Sequence, residues 1–198
     1  MNLLHIDSSL FQDGSVSRQL SARIVAQLLR GRDAEVTYRD VGSEPPPHLN
    51  AASFTDHGEQ SEANWLSRRI LEEFLAADTV VIGAPMYNFS IPSCLKSWLD
   101  HVLKAGATFR YTENGPIGLA GDKHVIVAST RGGIYSTGPG MAMDQQESLL
   151  RSAFGLMGIE HVQFVRAEGL ALGDAQREQA MQQAARAIGE LGRLQAAA

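Results

Sequence analysis

Apolar and polar positions along this chain change period in blocks. Leu3-Leu4-His5-Ile6 is a short, mostly apolar run closed by Asp7-Ser8-Ser9, and it predicts a first strand. Leu20, Ile24 and Leu28 then recur every fourth residue, with Val25 and Leu29 beside them, which predicts a helix with one buried stripe. Across residues 34–40, Val36 and Tyr38 alternate with polar residues, the period-two pattern of a strand near a sheet edge. Residues 42–60 contain Pro45-Pro46-Pro47 and predict a loop. Leu66, Ile70 and Phe74 mark a second helix, with Ser61 as its N-cap. Thr79-Val80-Val81-Ile82-Gly83 is β-branched and apolar, as a strand buried on both faces requires.

Residues 91–104 predict a third helix, with Pro92 tolerated in its first turn. Residues 108–118 carry Phe109 and Tyr111 and then Asn114-Gly115-Pro116, a hairpin-like excursion. His124-Val125-Ile126-Val127-Ala128 predicts another buried strand, residues 141–157 a helix and residues 159–165 a last strand. Residues 176–194 form an Ala-rich helical pattern with Ala180, Ala184, Ala187, Ile188 and Leu191 on one side. Strands alternating with helices imply right-handed crossovers, hence an α/β fold with a mostly parallel, doubly wound sheet of about five strands and helices on both faces. No repeat, low-complexity segment or boundary breaks residues 1–198, so a single domain is expected. Ligands of such sheets sit at the carboxyl ends of the strands beside the topological switch. The loops at residues 8–17, 84–91 and 129–140 are therefore predicted to converge.

Composition narrows the class of function. Of 198 residues, 44% are hydrophobic, 20% charged and 7% aromatic, ordinary values for a globular domain. The net charge of -5 and the lack of a Lys or Arg run argue against a nucleic-acid or anionic-membrane partner. Cys94 is the single cysteine, so no intrachain disulfide can form and a reducing, cytoplasmic setting is expected. The first seven residues reach Asp7 without a basic segment or a long apolar stretch, so no signal peptide is expected. No apolar run approaches the ~20 residues of a membrane span.

The unusual chemistry lies in the three loops. Ser9, Ser15 and Ser17 fall just before a helix, whose N-terminal amides and dipole favour phosphate; the competing reading is that Ser15 or Ser17 merely caps that helix. The segment contains neither a P-loop lysine nor G-x-G-x-x-G, which disfavours an ATPase or a Rossmann site. In the second loop, Met86, Tyr87 and Phe89 offer apolar walls and Asn88 offers hydrogen bonds, the needs of a flat heterocycle, although a packed turn would use the same residues. In the third loop, Gly132 and Gly133 permit close backbone approach and Arg131 offers a cation, although an ordinary turn also uses paired glycines. Cys94 and His101 share a helix face but lie about 10.5 Å apart along its axis, too far for a thiolate–imidazole pair. Ser136 sits one residue too late after Gly133 for a nucleophile elbow, and the histidines lack metal-ligand spacing. No side-chain nucleophile or metal is evident, and a doubly wound domain without catalytic side chains often leaves the chemistry to a cofactor.

Taken together, these blocks resemble the FMN-dependent NADH-azoreductases, also called FMN-dependent NADH:quinone oxidoreductases. The resemblance runs through Asp7-Ser8-Ser9, Ser15-Val16-Ser17-Arg18, Ala84-Pro85-Met86-Tyr87-Asn88-Phe89-Ser90-Ile91-Pro92, Leu95-Lys96-Ser97-Trp98-Leu99-Asp100, Thr108-Phe109-Arg110-Tyr111-Thr112-Glu113-Asn114-Gly115-Pro116 and Arg131-Gly132-Gly133. It implies a flavodoxin-like fold and a homodimer with FMN at the subunit interface. By the same resemblance Ser9, Ser15, Val16 and Ser17 match the phosphate loop, and Met86, Tyr87, Asn88 and Phe89 the segment along the isoalloxazine ring. Thr130, Arg131, Gly132 and Gly133 match the loop at the pyrimidine side, with Thr130 where many members have serine. Tyr111 and Phe154 match aromatics on the substrate side. The resemblance further implies a ping-pong transfer of electron pairs from NADH, or NADPH, through the flavin to quinones and aromatic azo compounds, with no catalytic side chain. A flavodoxin-type electron carrier that docks to redox proteins is the competing function; the Tyr111 excursion and the long loop around Pro45 favour an enzyme with a covered pocket.

Overall fold

Buried apolar strands pair with one another because nothing else satisfies their backbones inside a core. In the computed structural model, which describes residues 1–51, 53 and 62–194, five strands form one parallel sheet. They are β1 (Asn2–Asp7), β2 (Glu35–Asp40), β3 (Thr79–Pro85), β6 (His124–Thr130) and β7 (Val162–Ala167), in the order β2-β1-β3-β6-β7. Every residue of β3 is buried, and β6 is buried after its first residue. β2 lies at the edge of the sheet, as its alternating pattern predicts, but Val36 and Tyr38, the apolar members of that alternation, are exposed rather than buried.

Helices cover both faces. Against one face, Leu4, Ile6, Val80, Ile82, Val125 and Val127 of the sheet meet α2 (Glu62–Ala76), α3 (Ser93–Val102) and α4 (Gln146–Leu156) through Ile70, Phe74, Leu95, Trp98, Leu99 and Leu150. Against the other, Leu3, Val81, Ile126 and Val165 meet α1 (Val16–Leu28) and α5 (Asp174–Leu194) through Leu20, Ile24, Leu28, Ala184 and Ile188. This is the flavodoxin-like, doubly wound arrangement. Its switch lies between β1 and β3, where the chain turns from building the sheet outward through β2 to building it the other way.

The chain between α3 and β6 makes a separate antiparallel hairpin, β4 (Phe109–Thr112) and β5 (Gly115–Gly118). The hairpin docks on the end of α4 so closely that a Cβ on Gly118 would lie 2.1 Å from the Gly158 nitrogen. The proline-rich loop is latched to α3, where Ser97 Oγ donates to the Pro46 and Pro47 carbonyls and His101 Nε2 meets the Pro47 carbonyl at 2.9 Å.

Several boundaries differ from the sequence reading. The helix expected over residues 141–157 is a 3-10 turn, Gly138–Met143, followed by α4. Pro139 and its flanking glycines favour the tight turn, and the Asp144 carboxylate accepts from the Gln146 and Glu147 amides to start α4 afresh. The last strand begins at Val162 rather than at residue 159, because Ile159 is spent in the core beneath the hairpin. Pro92 stands as the N-cap of α3 rather than inside its first turn. The proposed cap Ser61 lies outside the described residues.

Candidate functional site

The carboxyl ends of β1, β3 and β6 lie side by side at the switch, and the loops that leave them are fastened together. Ser9 Oγ lies 3.3 Å from the Tyr87 hydroxyl, which also accepts from the Leu10 amide. The Met86 amide donates to the Thr130 carbonyl at 2.8 Å, and the Gln145 amide donates to the Phe89 carbonyl at 3.0 Å. The Phe89 and Tyr135 rings meet edge to face at 6.2 Å. Residues 8–15, 86–92 and 131–145 therefore form one continuous surface.

At one end of it α1 begins. Ser15 is the N-cap, its Oγ accepting from the Arg18 amide at 3.3 Å and lying 3.0 Å from Ser17 Oγ. The amides of Val16 and Ser17 have no intrahelical acceptor, as in the first turn of any helix. Ser9, Ser15 and Ser17 are all buried, so their hydroxyls stand in a dry, donor-rich corner. That corner suits a phosphate.

The middle of the surface is a two-residue turn. The Tyr87 amide donates to the Ser90 carbonyl and the Ser90 amide to the Tyr87 carbonyl, with Asn88 at φ 49° and Phe89 at φ 69° between them. This is the turn that requires left-handed backbone at both central positions; asparagine tolerates it, whereas phenylalanine does so only under strain. The result holds Phe89 half out of the protein, facing Tyr135. Nothing in the local sequence announced that conformation.

On the third side Arg131 is fully buried, and its guanidinium is committed. It donates to Ser129 Oγ, Gln146 Oε1, Glu147 and Glu168, and pairs with Asp144 at 2.9 Å. Expected as an available cation, Arg131 is instead the hub that fixes its own loop. Gln146 extends the hub by donating to the Ala84 carbonyl. Glu168 extends it by accepting from the Tyr135 and Ser136 amides and the Ser136 hydroxyl. Burial pushes the Glu168 carboxyl up, but Ser136, Tyr135 and Arg131 together hold it below the ordinary carboxylate range. Gly132 and Gly133 keep ordinary backbone angles, and their carbonyls accept from the Ala171 and Gly169 amides. The carboxylates and Gln146 lie 13–37 residues from Arg131, so no local motif pointed to them.

The two aromatics expected on the substrate side part company. Tyr111 is 75% exposed and stacks edge-on against Phe109. Phe154 has no exposed surface at all; it packs in the core with Leu150 and Met157 and offers no face to a ligand. Cys94 is buried with its thiol 3.3 Å from the Ser8 carbonyl, and burial pushes that thiol up, away from a reactive thiolate.

Beneath the first loop lies a buried polar cluster that the sequence reading also missed. His5 Nε2 is 2.9 Å from Ser21 Oγ and 3.6 Å from Asp7. Ser21 and Tyr38 donate to Asp7 at 2.7 and 3.1 Å. Burial alone would raise the Asp7 carboxyl, but His5, Ser21 and Tyr38 hold it below its usual value. Burial and the charge of Asp7 push the Tyr38 phenol up to about 12, so it remains a donor.

Comparison with known proteins gives a consistent picture. Residues 1–191 match the family described as having a flavodoxin-like fold. The FMN-dependent NADH:quinone oxidoreductase of Rhizobium meliloti (strain 1021) is 54% identical over 198 residues, covering 96% of each chain. The protein of the same name from Stenotrophomonas maltophilia (strain K279a) is 53% identical over 184 residues, covering 91% of each. Among solved structures, the azoreductase from Bacillus anthracis str. Sterne superposes with a TM-score of 0.88 at 25% identity, covering 97% of this chain and 98% of that one. An FMN-dependent NADH-azoreductase from Bacillus anthracis str. Ames Ancestor, in complex with FMN, superposes with a TM-score of 0.86 at 25% identity, each chain being covered to 97%.

Proposed function

The chain belongs to the flavodoxin-like fold family and, within it, to the FMN-dependent NADH:quinone oxidoreductases, and from that premise we propose how its own residues serve the activity. It is an FMN-dependent oxidoreductase that passes electron pairs from NADH to quinones and aromatic azo compounds. The observation that carries the site assignment is the junction of three loops, with a donor-rich helix start at one end and a strained aromatic turn in the middle. FMN has the matching shape, a phosphate tail joined to a flat ring, and supplies the two-electron redox chemistry.

In this reading the Val16 and Ser17 amides and the Ser9, Ser15 and Ser17 hydroxyls bind the phosphate. Met86, Tyr87, Asn88 and Phe89 flank the ring, and the backbone of Thr130, Arg131, Gly132 and Gly133 follows its pyrimidine edge. One side of the ring would be left to nicotinamide and acceptor in turn. Tyr111 lines that side across a homodimer interface. Exposed Leu10, Phe11 and Phe89 lie on the joined loops of the site, and an apolar patch there would suit a partner subunit. A single flavodoxin-like domain spanning residues 1–198 and working in the cytoplasm fits one buried, unpaired cysteine.

The test is direct. Purified protein reconstituted with FMN should oxidise NADH with a soluble quinone and no second protein present. Turnover that appears only when a redox partner protein is added would favour the electron-carrier reading instead.

A further inference from the structure

Arg18 is the one arginine in the serine-rich segment, and its position beside Ser17 invites the view that it neutralises the phosphate. Its geometry says otherwise. A guanidinium has five N–H donors, and all five are used here. Nε donates to the Phe11 carbonyl at 3.1 Å, and Nη2 to the Ser9 carbonyl at 2.9 Å. A two-pronged pair joins Nη1 and Nη2 to the Asp40 carboxylate, each bond 2.7 Å. The fifth donor reaches the Tyr38 hydroxyl at 3.2 Å. The charge is cancelled by Asp40, with Asp7 3.8 Å away.

Asp40 is engaged as fully. Its carboxylate also accepts from the Gly42 and Ser43 amides and the Ser43 hydroxyl, and Ser43 Oγ accepts from Gln12 in the serine loop. Gly42 is required for this approach, because a Cβ there would lie 2.2 Å from the Ser9 carbonyl oxygen. The turn after β2 is thus fastened underneath the loop after β1.

We propose that Arg18 and Asp40 are positioning residues for the phosphate end of the cofactor: the pair holds the Ser9 and Phe11 carbonyls away from the anion, so that the loop offers it donors alone. The proposal rests on the FMN reading of the site. A carbonyl turned toward a dianion repels it, and a loop of eight residues with no lysine has little to offset such a repulsion. The arginine acts through the backbone it grips and makes no contact with the phosphate.

The experiment is fluorescence titration of the flavin-stripped protein with FMN and with riboflavin, which lacks the phosphate. In Arg18→Gln, FMN should bind about tenfold more weakly, the worth of a charged hydrogen bond or two, while riboflavin changes by less than about threefold. Arg18→Lys should not rescue FMN, because an ammonium cannot form the two-pronged pair and reach both carbonyls. Asp40→Asn separates the alternatives by sign. It frees the positive charge of Arg18, so a direct phosphate ligand would then bind FMN more tightly, whereas a positioning pair loses its grip and binds FMN more weakly. Tighter FMN binding by Asp40→Asn, or equal weakening of both flavins by Arg18→Gln, overturns the proposal. Wild-type protein that binds neither flavin would instead overturn the FMN reading itself.

Discussion

Single residues divide the work at the mouth of the site. Ser15 and Ser17 look alike in the sequence, yet only Ser15 caps the helix; among the described residues Ser17 Oγ has Ser15 Oγ as its partner, 3.0 Å away, and can donate to a phosphate when Ser15 is the donor of that bond. Ser17→Ala should therefore weaken FMN about tenfold or more and leave riboflavin nearly unchanged. Ser15→Ala should in addition lower stability by about 1 kcal/mol, through the lost cap. Flavin titration and thermal melting of the two variants check this, and identical behaviour would dissolve the distinction. Asp7 and Glu168 give a pH dependence of definite sign. Each carboxyl is held lower in the folded chain than in the unfolded one, so the charged forms stabilise the fold above the ordinary carboxylate values of 3.8 and 4.5. That stability is lost as pH falls through the folded-state values. Denaturant midpoints should accordingly fall below about pH 4, and Asp7→Asn should flatten that fall while lowering the midpoint at pH 7.

At the scale of elements, backbone contacts set where functional side chains can go. The β4–β5 hairpin carries Tyr111, and its height is fixed by Gly118 against Gly158. A Cβ at Gly118 meets backbone on all three of its nearest contacts, so no side chain can move aside. Gly118→Ala should lift the hairpin, at a cost of about 1–3 kcal/mol. KM for the acceptor should rise while FMN affinity holds, because the hairpin carries Tyr111 and none of the residues proposed to hold the flavin. Steady-state kinetics with a quinone, read beside a flavin titration, makes the comparison; an unchanged KM would remove Tyr111 from the acceptor side. The Arg131 hub does the same service for the β6 loop, and Gln146 ties that loop to the end of β3.

For the whole molecule, the proposed function has nicotinamide and acceptor taking turns at one face of the flavin, so that each excludes the other. Double-reciprocal plots at several quinone concentrations should be parallel; intersecting lines, with both substrates bound together, would refute a shared face. Much of this architecture was legible in the chain itself. The apolar runs of β1, β3 and β6 and the four-residue stripe of α1 follow from local periodicity, and alternating strands and helices leave few topologies open. The serine-rich and aromatic loops stood out because their composition departs from that of their neighbours. What the sequence could not determine is how distant polar groups meet. Arg18 with Asp40, and Arg131 with Asp144, Glu147 and Glu168, are pairs across 22 and 13–37 positions, brought together by strand order. The left-handed Asn88–Phe89 turn and the burial of Phe154 belong to the same class. Periodicity is a property of adjacent residues, fixed by the geometry of one helix or strand. Charge pairing, backbone strain and the exposure of one aromatic against another depend on which elements become neighbours, and only the folded chain decides that.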